Sequence, residues 1–424
     1  MRVQHPLIPF LEKTISDPIT PFVLDLIVVL ETLRVEDVVY YMERSSSVGA
    51  PVLDRAALLR AFIAKDVLKI STTEALVDRL RVDGALRQIC GWEFAPAAPP
   101  SIRTGITESG KRLAAKRRQT GKHARRGVPS LATFSRAFAE FAEARVLDQV
   151  HALRVTEYLG ADVFEQISYD GTAITAREKP VRKVKTDSTE TTAATGSVES
   201  APVTDSAVSP TRRRKKRRKK EEPIPDQTRL QKQRASSDTS VRLAESLPTA
   251  CDVGTKQNSK GYKESWNGYK MHMGTVSGDI PVVALTTSAS MHDSGAAIPL
   301  MRMVRERQLK VKYELMDSAY DAKEIYDESK ELGRVPIIDK NLRRGAAEEK
   351  RLAQLPFSRI NVDHALVDID RRRRFRDRTC AERVNARLKE NNEMRSVRVR
   401  GHPKVHATLM ISLLVQFSKG ILCL

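Results

Sequence analysis

Four cysteines and two tryptophans are all that 424 residues contain, and aromatic side chains make up only 5% of the chain. Cys90, Cys251, Cys380 and Cys423 stand far apart with no paired spacing. That excludes a disulfide framework and a cysteine zinc site, and suits a reducing compartment. Long apolar runs are also missing. The longest, VHATLMISLLVQF (405–417), is too short to cross a bilayer and carries His406, Thr408, Ser412 and Gln416, so it reads as a buried helix. The opening MRVQHPLIPF lacks the apolar core of a signal peptide. A cytoplasmic protein with no membrane partner is expected. Acid is scarce relative to base: Lys and Arg number 73 against 53 Asp and Glu, a formal charge of +20. An excess of that size points to a polyanionic partner, because basic side chains bind phosphates by displacing counterions.

The length allows two or three domains. Residues 1–150 read as helical. RAALLRAFIAKDVL sets Leu58, Leu59, Phe62, Ile63 and Val67 on one face. Ser71 and Glu74 stand in capping-box register, and Ser130 is placed to cap a helix that aligns Phe134, Phe138 and Phe141. Between them lies the basic loop KRLAAKRRQTGKHARRG. Such a unit is either a helix-turn-helix DNA reader or a helical scaffold, and the sequence leaves both open.

From Phe164 the pattern changes. FEQISYDGTAI reads as a strand carrying Asp170 into a Gly-Thr bend. No Phe, Tyr or Trp occurs between Tyr169 and Tyr262. Residues 178–249 therefore read as a disordered polar insertion, unable to bury enough apolar surface to offset ordering entropy. Its basic run, Arg212–Lys220, suits a nucleic-acid arm, a localisation-type patch or a solvated tether. Order returns with WNGYKMHMGTVSGDIPVVALTTSAS, two strands around a Ser-Gly-Asp turn. A helix then starts near Asp293 or Ser294, VKYELM forms a strand ending at Asp317, and a helix over 321–332 stops at Gly333 before VPIID. Two helices follow, one through Glu382 and one from about Pro403. The order predicts an α/β protein: a mixed sheet with helices on its faces, assembled from 160–177 and 250–424.

In RRRRFRDRTCAERVNARLKE (371–390), Phe375, Arg378, Glu382 and Lys389 fall within about 60° of one another on a helix. Alone, that stripe is an exposed helix with local salt bridges, which contribute little. Asp170 and Asp317, however, lie where an α/β sheet presents groups to a ligand. If their strands are neighbours and the Glu382 helix packs beside them, three carboxylates meet. Their repulsion would be relieved by two divalent cations, Mg²⁺ or Mn²⁺ by preference for hard oxygen ligands. Such a pair catalyses in-line phosphoryl displacement.

The segments YDGTAI, MDSAYDA and FRDRTCAERVNARLK resemble those of the DDE transposases of bacterial insertion sequences, in the broad IS-four/IS-five-like grouping. The family's last motif runs Tyr, two residues, Arg, three residues, Glu, six residues, Lys; Phe375, Arg378, Glu382 and Lys389 keep its spacing, with Phe for Tyr. WNGYKMHM, ASMHDS and PVLDRAALLRAFIAKDVL are also similar to family segments. The resemblance implies a ribonuclease-H-like core in which Asp170, Asp317 and Glu382 hold two cations. It further implies hydrolysis at element ends, strand transfer into target DNA, and a homodimer on double-stranded DNA, with no small-molecule substrate. Arg378, Lys389 and, secondarily, Lys270 would position phosphates, while Phe375 keeps only stacking on a base or sugar. His292 and Asp293 are further candidate ligands, although Asp293 is read rather as the cap of the following helix, and Asp252, Asp321 and Asp339 as surface or turn acids. A catalytically inactive DNA-binding remnant and a stand-alone metal nuclease are the alternative readings.

Overall fold

A computed structural model of the chain describes residues 20–43, 55–92, 128–180, 227–257, 261–339, 373–390, 394 and 396–423. Its N-terminal part is helical, as expected: α1 (Pro21–Leu33), α2 (Glu36–Glu43), α3 (Arg55–Val67), α4 (Thr73–Val82), α5 (Gly84–Cys90), α6 (Leu131–Glu143) and α7 (Val146–Leu159). Ser130 caps α6 through the Thr133 amide. The α4 cap is Thr72, one residue beyond the Ser71 of the sequence reading, and it accepts from the Ala75 amide at 3.0 Å. The basic loop around 111–127 and the run Arg212–Lys220 lie outside the described residues.

The long strand β1 (Val163–Ala176) follows. Next come two short helices, α8 (Arg229–Ala235) and α9 (Ser240–Glu245), in a stretch assigned to the disordered insertion by its polar composition. They are folded. Thr228 and Gln231 form a reciprocal capping box, and buried Gln233 donates to the Gly295 carbonyl at 2.9 Å, so side-chain hydrogen bonds supply what apolar area does not. Residues 181–226 are outside the described set.

The remaining elements are β2 (Asp252–Gln257), β3 (Lys263–Val276), β4 (Ile280–Ser288), α10 (Ser294–Glu306), β5 (Lys310–Met316), a 3₁₀ turn (Ser318–Tyr320), α11 (Lys323–Glu331), β6 (Val335–Ile338), α12 (Thr379–Glu390), β7 (Ser396–Val397) and α13 (His402–Leu422). The predicted Ser-Gly-Asp turn joins β3 to β4, with Gly278 and Asp279 both at positive φ. β1 lies at the centre of a seven-stranded mixed sheet. It pairs antiparallel with β3 and parallel with β5 and β7; β3 carries β2 and β4 on its far edge, and β5 carries β6. Three meandering strands followed by parallel crossovers, flanked by helices, give a ribonuclease-H-like fold. β2, whose Asp252 was read as a surface or turn acid, is a strand the sequence does not announce.

α13 joins the two parts. It lies between β4 and the N-terminal helices α1, α3, α6 and α7, and Leu409, Leu413, Leu414 and Phe417 belong to one hydrophobic core that runs from Leu26 to Phe417. With neighbours on both sides it is apolar almost all round. It is long and apolar enough to span a membrane, yet 83% of its apolar window is buried inside the protein. The polar side chains it buries are satisfied. His406 bonds Thr286 and Asp148, each at 2.9 Å, and Ser412 donates to Asp66 at 2.7 Å.

Candidate active site

Parallel pairing of β1 with β5 matches Ser168 to Leu315. Two residues further along, that register sets Asp170 beside Asp317, which directly follows β5. The expected Gly-Thr bend is absent: β1 continues through Gly171 and Thr172, paired with His272 and Met271 of β3. Asp317 opens the 3₁₀ turn, where Oδ1 accepts from the Ala319 amide at 2.9 Å. Asp252 lies on the edge strand β2, and Asp339 follows β6, its amide donating to the Met316 carbonyl at 3.3 Å.

Burial, with the neighbouring Asp317 charge second, pushes the Asp170 carboxyl up to about 6; Arg378, the Gly171 amide and Asn385 oppose the shift. Asp317 is also raised, chiefly by burial and then by Asp293, against the Ala319 amide, Arg378 and His292. Other buried acids of this core are neutralised by a base. Glu314 meets Arg334 at 2.8 Å and the Tyr169 hydroxyl at 3.0 Å, and Glu328 meets Arg302 at 2.8 Å. Among the described residues Asp170 and Asp317 have no such ion pair. Two adjoining acids held partly out of water with no direct ion pair are costly unless a cation joins them.

α12 packs against β1 and β3 through Cys380, Ala381, Val384, Asn385 and Leu388. Asn385 is the polar member of that buried face, and its Nδ2 donates to Asp170 Oδ2 at 2.6 Å. Glu382 lies one turn earlier, half-exposed, with Oε1 accepting from Arg378 Nη2 at 2.5 Å. The predicted stripe is not one uninterrupted helix: residues 373–376 form a single helical turn, a turn at 377–378 breaks it, and α12 begins at Thr379. Arg378 nonetheless stands over the Phe375 ring, 5.5 Å from its centroid. Lys389 is half-buried near the end of α12.

Several arginines of the 371–390 stretch are engaged within the chain. Arg374 pairs with Glu165. Arg383 and Arg387 both hold Asp279, at 2.7 and 3.0 Å. Lys270 also turns inward, donating to the Met291 carbonyl at 2.9 Å and to Asp293 Oδ1 at 3.1 Å. Asp293 does not cap α10. It occupies the position before Ser294 with helical backbone angles and makes no side-chain cap bond.

The structure thus brings Asp170 and Asp317 together, fastens the Glu382 helix beside them through Asn385, and ties Glu382 to Arg378. Among the described residues no three His, Cys, Asp or Glu side chains group closely enough to hold one ion. The donor set still suits a divalent cation. Mg²⁺ is commonly held by one or two carboxylates, the rest of its shell being water and substrate phosphate. Sequence reasoning missed Asn385, although a polar residue in the apolar stripe of an amphipathic helix was the available signal. It also missed the nonlocal partners of Asp293.

Residues 226–417 match the family model described as the transposase DDE domain. The matched stretch contains Asp293, Asp317 and Glu382 but starts after β1, so Asp170 reaches the site from outside it. The chain matches no curated protein and no solved structure. Together, the ribonuclease-H-like sheet and this match support a transposase of the DDE type.

Proposed function

We propose that this protein is a DNA transposase of the insertion-sequence kind, within the IS-four/IS-five-like grouping. It hydrolyses a phosphodiester at each element end and joins the freed 3′-hydroxyl to target DNA. The observation that carries this reading is the side-by-side pair Asp170 and Asp317, both raised and, among the described residues, in no direct ion pair, at neighbouring parallel strands of a ribonuclease-H-like sheet.

Asp170, Asp317 and Glu382 would hold Mg²⁺ or Mn²⁺, two ions per site. Bound there, the ions supply activation of the attacking oxygen and stabilisation of the leaving oxygen. The chain's own groups do the rest. Asn385 fixes the orientation of the Asp170 carboxylate. Arg378 exchanges Glu382 for a DNA phosphate, which releases the Glu382 carboxylate to the site. An exposed i,i+4 pair is worth only about 0.5 kcal/mol, so the exchange costs little. Lys389 binds backbone phosphate and Phe375 stacks on a base or sugar. Lys270 acts from behind the site through Asp293 and does not reach DNA.

The protein works in the cytoplasm on double-stranded DNA, as a homodimer that processes both ends together. The helical N-terminal part contributes to DNA binding or dimerisation. The test is incubation of the purified chain with DNA flanking its own coding region and Mg²⁺, beside an Asp317→Ala control. Cleaved ends and strand-transfer products from the wild type alone are expected. Uncut, bound DNA in both samples would mark a DNA-binding remnant, and free ends without joined products a plain nuclease.

A further inference from the structure

A cavity of about 290 Å³ lies where α3, the start of α4 and α6 meet α13 and the chain leaving β7. The catalytic reading does not use it. Its volume is near the roughly 300 Å³ at which small-molecule pockets begin. A duplex cannot enter a hole of that size; one small ligand can.

Its chemistry is two-sided. Phe62, Phe138, Ile70, Val399 and Ile411 give it an apolar lining. Phe138 packs against Phe62 with ring centroids 5.0 Å apart, yet is only half-buried. Four cations stand around that lining: Lys65, Lys69, Arg398 and Lys404. Among the described residues Lys69, Arg398 and Lys404 form no ion pair, whereas Arg374, Arg383 and Arg387 are all engaged. The one acid on the described wall, Asp66, accepts from Ser412 at 2.7 Å. Like charges gathered at one concavity attract an anion into it. Ser71, Thr73 and Ser135 add hydroxyls that can bond the polar edge of a ring. A ligand that meets all three features has a flat ring to lie on the apolar side, hydrogen-bonding edges, and a phosphate for the bases.

We propose that this cavity is a nucleotide site separate from the catalytic acids, taking one nucleoside phosphate with its base toward Phe138 and its phosphate toward Arg398 and Lys404. A free nucleotide and an unpaired nucleotide of DNA share that chemistry. The site is tied to the strand that carries Asp170. Arg398 directly follows β7, whose Ser396 and Val397 pair with Thr175 and Ala176 of β1. Asp170 precedes Ala176 on that strand by about 20 Å at the usual strand rise. The ligand is therefore out of reach of the acids, but it bears on the strand that positions one of them and on the N-terminal helices together. The inference needs neither metal nor cleavage, so it stands apart from the transposase reading.

The probe is dATP, titrated by calorimetry into the full chain in EDTA, so that cation-dependent binding at Asp170 and Asp317 takes no part. One molecule per chain is expected. Deoxyadenosine and inorganic phosphate, each lacking half of the match, should bind about tenfold more weakly or worse. Arg398→Gln combined with Lys404→Gln should weaken dATP by about tenfold or more, with the melting temperature preserved because both side chains are exposed. Ser135→Trp, also at an exposed position, fills the cavity and should abolish dATP binding without touching a cation. A single-stranded oligodeoxyadenylate of about 12 nucleotides identifies the source. Loss of its affinity in Ser135→Trp assigns the site to an unpaired nucleotide of DNA; unchanged affinity beside lost dATP binding assigns it to a free nucleotide. A chain that binds neither probe, or variants that bind both as the wild type does, would overturn the inference. Cleavage of element-end DNA, measured separately, decides the transposase reading whichever way this titration falls.

Discussion

Asn385 Nδ2 and Asp170 Oδ2 meet at 2.6 Å although 215 positions separate them in sequence. This contact links the helix bearing Glu382 to the central strand, so the site's geometry depends on a residue that carries no charge. A charged donor would neutralise Asp170 and compete with a cation; an amide orients the carboxylate and leaves its charge available. Groups that orient a metal-binding carboxylate typically matter ten- to a hundredfold. Asn385→Ala is therefore expected to lower DNA cleavage by roughly that factor while leaving DNA affinity unchanged. Parallel cleavage and binding assays check it, and cleavage at the wild-type rate would remove Asn385 from the machinery.

Asp170 gives the metal-free protein a pH dependence of definite sign. Its carboxyl is raised from 3.8 to about 6 by burial and by Asp317. Between those values the folded chain keeps a proton that the unfolded chain has shed, so stability falls as pH rises from about 4 to 6. The full loss is on the order of 3 kcal/mol. His151, His272 and His402 act the other way: burial lowers them from 6.5 to about 3, 4 and 4, and they add stability over much of the same range. Comparison with Asp170→Asn isolates the carboxylate. Without metal, the Asn variant should gain on the wild type as pH is raised from 4 to 6.5. Parallel melting curves across that range would show that Asp170 titrates normally.

Local periodicity carried much of this architecture. Asp317 follows β5 where alternation in VKYELM stops, Ser130 caps α6 as its position predicts, and α13 is buried as its composition requires. Features set by distant partners were not legible. Gly171 looks like a turn residue because nothing nearby reveals that Asp293 needs the space of its missing side chain. Asp293 looks like a cap because Lys270, its partner, lies 23 residues away in another strand. α8 and α9 were hidden by composition: Gln233, Arg234 and Ser240 hold them through hydrogen bonds and ion pairs to Gly295, Asp327 and Glu306. The two aspartates could be suspected from sequence, but their contact depends on the β1–β5 register, which periodicity does not specify.

The pairing of Arg378 with Glu382 predicts a specific salt effect. If Arg378 passes from Glu382 to a phosphate on binding, Arg378→Gln removes one phosphate contact. DNA affinity should fall uniformly across sequences, and the slope of log affinity against log salt should decrease by about 1. Filter or fluorescence binding at several salt concentrations measures it. A slope equal to that of the wild type would mean that Arg378 stays with Glu382 in the complex, and the release of Glu382 would then need another cause.

Because α13 is shared by the sheet and the N-terminal helices, the two parts should unfold together. Leu413 is fully buried in that helix, and truncating a buried leucine costs about 2–5 kcal/mol through lost burial and the cavity left behind. The tryptophans report on each side separately. Trp92 belongs to the buried core of the N-terminal helices, and Trp266 lies in β3, its indole N–H donating to the Tyr269 carbonyl at 3.1 Å. Trp92→Phe and Trp266→Phe therefore leave one reporter each, in the sheet and in the helices respectively. In the wild-type background both reporters should show the same denaturant midpoint, and Leu413→Ala should move both midpoints down equally. If α13 belonged to one part alone, Leu413→Ala would lower only that part's transition and the two curves would separate.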